Sequence, residues 1–138
     1  MDPAKAQFVQ QSLGRCLLNR VEGVGFLDAF YDEFLASDPR IEPLFAKTDM
    51  AKQKDLLRHG LVMLVMYGRG AALAKSAVEQ LALKHDRHHL KIDPALYRLW
   101  VNSLLACVKR YDREYDDVLG RHWAEALEPG IAVMKQAY

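Results

Sequence analysis

The sequence predicts an all-α domain of roughly seven to eight helices. Three observations predict it. Apolar residues recur at intervals of three and four almost throughout the 138 residues, the spacing that lines one face of a helix. No stretch alternates apolar and polar residues at period two over a useful length, so strand signals are missing. Proline, glycine, serine and aspartate fall between the periodic segments, where helices start and stop.

The first helix is expected from about Pro3 to Asn19, with proline in its first turn and Phe8, Leu13 and Leu17 on its apolar face. "EGVG" at 22–25 then loosens the chain. A second helix spans about Gly25–Ala36 and turns Phe26, Leu27, Phe30, Tyr31 and Phe34 inward. "SDPR" at Ser37–Arg40 offers a cap followed by proline at a helix start, and Pro39–Phe45 reads as one helical turn or two. Thr48 and Asp49 can cap a long helix to about Tyr67, which "GRG" at Gly68–Gly70 stops or bends. Three further helices follow: Ala72 to about His88, Asp93-Pro94 through about Arg110, and Asp116 or Asp117 to the C-terminus. Pro129 lies inside the last one. An interior proline costs about 3 kcal/mol and kinks a helix, so a bend is expected there.

Length and composition suit one domain over residues 1–138 with a real core, since 51% of the residues are hydrophobic. The net charge is +1 with acids and bases interspersed, which leaves no basic footprint for nucleic acid or an anionic membrane. The longest apolar run, Leu61–Tyr67, is far too short to span a bilayer. Cys16 and Cys107 lie far apart and outside any metal-ligand spacing. They read as reduced thiols of a cytoplasmic protein. The N-terminal residues show no signal-peptide pattern.

Chemistry concentrates at three places. Met50, Gln53, Leu57, Leu61 and Leu64 share one helix face that is apolar except for Gln53. A buried amide needs partners or costs about 1–3 kcal/mol. That residue is therefore either a rim glutamine bonded to backbone or water, or a donor aimed into a pocket. Tyr31 poses the same choice, between a half-buried phenol reaching solvent and a directional donor in an apolar pocket. Three of the five histidines, His85, His88 and His89, fall in "KHDRHHLKIDP". Two of them on one helix face is a zinc spacing, but a third ligand is missing. His85 differs from its neighbours because it ends a stripe of Val78, Leu81 and Ala82. His88 and His89 read as solvated.

Several motifs in order resemble the bacterial globins and the globin domain of flavohaemoglobins. "FYDEFLASDPRIEPLF" (Phe30–Phe45) is similar to their second helix and following corner. "ALAKSAVEQLALKH" (Ala72–His85) is similar to the helix whose last histidine binds haem iron, and "IDPALYRLW" (Ile92–Trp100) to the next helix start. The likeness runs from about Gly25 to Val118. It implies a globin fold around haem b, with His85 as the proximal iron ligand, Phe45 stacked on the porphyrin, Tyr31 and Gln53 as the distal polar pair, Leu57 one turn beyond, and Tyr97 on the proximal side. Leu81 and Leu90 join the haem-binding set. Flavohaemoglobins also carry a proximal glutamate, and Tyr138 stands near its place. A competing register, in which "RHGLVML" (Arg58–Leu64) resembles animal globins, would make His59 distal and Gly60 the helix-crossing residue. His59 lies off the Gln53–Leu57 face, which favours Gln53.

The resemblance implies reversible binding of O2, NO or CO and a role in oxygen binding and transport. It also implies nitric oxide dioxygenase activity if a separate reductase supplies electrons, because this chain has no room for reductase modules. The alternatives are a gas sensor acting through a partner protein, and a haem-free helical domain with His85 packed in its core.

Overall fold

The computed structural model describes residues 2–68, 75, 78–80 and 93–137. Its elements are α1 (Pro3–Leu18), β1 (Arg20–Val21), β2 (Val24–Gly25), α2 (Phe26–Ala36), a 3-10 turn (Glu42–Phe45), α3 (Met50–Gly68), α4 (Leu96–Tyr111) and α5 (Asp117–Ala137). Among the described residues this makes five α-helices and one 3-10 helix. Most of the helix expected over Ala72–His88 lies outside them.

Side chains set most boundaries. The Asp2 carboxylate accepts from Ala4 N–H, and Pro3 opens α1. Asp49 accepts from Ala51 and Lys52 N–H at the start of α3. Asp93 accepts from Ala95 N–H ahead of α4, and Asp116 from Leu119 N–H at the head of α5. The bonds to Asp2, Asp49 and Asp116 satisfy backbone donors that the first turn of a helix cannot, and the bond to Asp93 sets the turn before α4. α5 continues through Pro129.

Two expectations need correction. The chain at "EGVG" forms a minimal hairpin, with Arg20 paired to Gly25 and Val21 to Val24. Glu22 and Gly23 both take positive φ, 51° and 78°, the geometry of a tight turn that matches strand twist. Strands of two residues are too short for alternation to show. On α1, the apolar face is Ala6, Val9, Leu13 and Cys16, whereas Phe8 is 53% exposed.

The core lies between paired helices: α3 against α5, α2 against α4, and α1 across α5. A buried polar network ties the far ends of the chain together. Trp123 Nε1–H donates to Ser12 Oγ at 2.9 Å, and the Ser12 hydroxyl donates to Asp112 Oδ2 at 2.5 Å. Arg15 grips the same carboxylate with two N–H bonds, 2.7 and 2.9 Å, and Glu114 N–H adds a fourth donor.

Burial alone would raise the Asp112 pKa. The donors from Arg15 and Ser12 outweigh it and hold the carboxyl below its usual 3.8. A carboxyl depressed in the folded state stabilises the fold above about pH 4, and that contribution is lost as pH falls through the folded pKa. Asp112→Ala is therefore expected to cost about 3 kcal/mol at neutral pH, because it leaves buried donors unpaired. In thermal melts the gap between this variant and the wild type should narrow below pH 3.8; a gap independent of pH would contradict the assignment.

Candidate functional site

α2 is dense in aromatic residues because Phe26, Phe30 and Phe34 recur at every fourth position, with Tyr31 beside them. All four are buried. Phe30 stacks on Phe34 at 5.5 Å and meets Trp100 of α4 edge-on at 5.7 Å. This fixes the helix between its neighbours. The corner after α2 then brings Phe45 back, edge-on to both Tyr31 (5.8 Å) and Phe34 (6.1 Å). Edge-to-face rings at these separations attract through their quadrupoles, so Phe45 is held half-buried beside the Tyr31 phenol.

α3 supplies the other wall. Leu57, Leu61 and Leu64 are buried, and Gln53 stands one turn before Leu57, half-buried. The Gln53 side chain stands close to the Tyr31 hydroxyl. Burial pushes the Tyr31 pKa up, and the neighbouring Gln53 amide opposes that rise. The phenol stays protonated at neutral pH.

Tyr97 enters from α4. It is 5% exposed, and its hydroxyl has no hydrogen-bond partner among the described residues. Burial pushes its pKa up to about 12. A buried hydroxyl left unpaired costs about 1–3 kcal/mol, so Tyr97 calls for a partner that the described residues do not provide.

His59 is exposed, with its Nδ1 2.9 Å from the Asp55 carbonyl, and so stands away from the Tyr31–Gln53 pair. Leu81, His85 and Leu90 lie outside the described residues, as do His88, His89 and Tyr138. Among the described residues no group of three or more His, Cys, Asp or Glu could hold a metal, and no helix is long and apolar enough to cross a membrane. Both thiols are free and buried.

The family model for globins matches residues 28–134, from α2 to the end of α5. The chain belongs to the globin family. This globin is similar to the crystal structure of PA3967 from Pseudomonas aeruginosa PAO1, a protein described as structurally highly homologous to a human hemoglobin. The two share 44% identity over 97% of this chain and 98% of that one, with a TM-score of 0.90. Among curated proteins no match was found.

Membership implies a haem cofactor and diatomic gas ligands. The described residues fit such a group: an aromatic wall at Phe45, an apolar wall at Leu57, a polar pair at Tyr31 and Gln53, and a buried phenol without a described partner at Tyr97. The ring packing and the half-buried amide were legible from residue type and spacing. The missing partner of Tyr97 was not, because a tyrosine on an amphipathic helix usually finds water or backbone.

Proposed function

We propose that this globin holds haem b non-covalently and binds oxygen reversibly, with Tyr31 and Gln53 as the distal donors. The buried Tyr31 phenol, with the Phe45 ring edge-on to it and Gln53 of the facing helix close by, carries this reading. When bound, haem supplies the iron at which a diatomic gas is ligated.

The chain's own residues would then act as follows. His85 supplies the single protein ligand, and Leu81, Leu90 and Tyr97 line its side. Phe45 wedges the porphyrin, and Leu57 keeps water out. Gln53 stands beside the Tyr31 phenol, so both would donate into the pocket. In a dry pocket a fixed donor acts on a partly negative ligand far more strongly than in water. Neither Cys16 nor Cys107 stands in the Cys-x-x-Cys-His spacing that attaches haem covalently. His59 serves on the outer side, where its exposure puts it.

Tyr31→Phe removes one donor of roughly 1–1.5 kcal/mol and should raise the oxygen off-rate about tenfold. Because burial keeps the phenol protonated, the wild-type off-rate should be flat between about pH 6 and 9. An unchanged off-rate in Tyr31→Phe would remove the tyrosine from this account. Oxidation of nitric oxide with a separate reductase, and signalling through a partner, are readings that the flavohaemoglobin likeness adds. No described residue favours either over simple oxygen binding.

A further inference from the structure

Tyr31 and Gln53 sit on different helices, so they stay within reach of one another only while α2 and the start of α3 keep one spacing. An ion pair bridges the same two helices next to them. Lys54 Nζ lies 2.5 Å from Asp28 Oδ1. Lys54 directly follows Gln53, and Asp28 stands one helical turn before Tyr31. The two members of the ion pair, Lys54 and Asp28, are therefore close along the chain to Gln53 and Tyr31, respectively. Among the described residues no other ion pair joins α2 to α3.

The position of Asp28 is set locally. It lies in the first turn of α2, where the partial positive charge of a helix N-terminus favours a carboxylate. Lys54 must reach across to it. The two side chains are 32% and 51% exposed, and pairs this exposed contribute little to global stability. A small bias is nevertheless enough for a local task, because a roughly threefold change in a side-chain equilibrium lies within what an exposed pair contributes.

We propose that the Asp28–Lys54 ion pair is a positioning clamp, which holds Gln53 against Tyr31 and so sets how firmly the distal pair retains a diatomic ligand. The proposal rests on the haem reading given above. Asp28 and Lys54 touch no ligand; they act through Gln53 and Tyr31.

The test uses the haem-loaded full chain and its Asp28→Asn, Lys54→Met, Lys54→Arg and double Asp28→Asn/Lys54→Met variants, with Tyr31→Phe alongside. The oxygen off-rate and the infrared stretch of bound CO are read for each. Asp28→Asn and Lys54→Met should each raise the off-rate about threefold and move or split the CO band. The double variant should match either single one, because the two residues form one interaction. Lys54→Arg should restore wild-type behaviour. Raising the salt to about 1 M should speed the wild-type off-rate and leave Asp28→Asn unmoved, since screening dissolves an exposed pair. Wild-type values in both single variants, while Tyr31→Phe still speeds dissociation, would overturn the clamp and leave the distal pair intact. Additive effects in the double variant would also overturn it. A wild-type chain that takes up no haem would overturn the clamp and the haem reading together.

Discussion

Gly68→Ala is expected to destabilise the fold by about 2 kcal/mol. Gly68 ends α3 where that helix crosses α5, and a Cβ there would run into the Ala126 carbonyl and its neighbouring backbone atoms. A side chain in the way could rotate aside, but helix backbone cannot, so the two helices must part along a core interface. Such overpacking costs about 3 kcal/mol. Exchanging glycine for alanine in a helix returns at most about 1 kcal/mol of propensity, so the clash decides the sign. Gly14→Ala is the matched control. Gly14 is exposed in the middle of α1, and nothing lies within 4 Å of its Cβ position, so propensity acts alone and should stabilise by up to about 1 kcal/mol. Urea unfolding of both variants checks the pair. A Gly68→Ala protein as stable as Gly14→Ala would mean that the helices do not cross this closely.

The largest functional effect is expected from His85→Ala. Val78, the one described residue of the stripe that His85 ends in the sequence, is fully buried. Loss of an outer partner of a metal ligand already costs about 10- to 100-fold in affinity, so loss of the ligand itself should exceed that range. His85→Ala is expected to abolish normal haem ligation, and added imidazole should restore part of the ferric spectrum by filling the space left behind. His88→Ala and His89→Ala should leave the spectrum unchanged. Loss of ligation in either of those, with His85→Ala intact, would move the ligand.

What the sequence made legible follows the range of the interaction. Asp49 and Asp116 cap their helices, and Asp93 sets the turn before α4, through bonds spanning two or three residues, so each boundary is local and readable. The inner faces of α2 and α3 are readable for the same reason, because i, i+3 and i, i+4 spacing is itself the face. Ser12 and Asp112 are a different case. Their bond spans 100 residues, and nothing in α1 marks Ser12 as buried. Phe8 misled because size stood in for direction: the buried positions beside it are the smaller Ala6, Val9 and Cys16. At the candidate site, Tyr31 and Gln53 stood out as polar residues on apolar faces. How close they come to each other depends on how far apart α2 and α3 pack, which no local pattern records. Tyr97 entered only through the family resemblance, and its missing partner only through packing.

The most direct measurement is a titration of the purified chain with haemin, followed by absorption spectra of the ferric, ferrous and CO-bound forms. One haem should bind per chain. A Soret band distinct from that of free haemin should appear in step with added cofactor, shift on reduction, and shift again under CO. Spectra that remain those of free haemin at every ratio would contradict the haem pocket and leave Tyr31, Gln53 and Tyr97 as core residues of a helical domain.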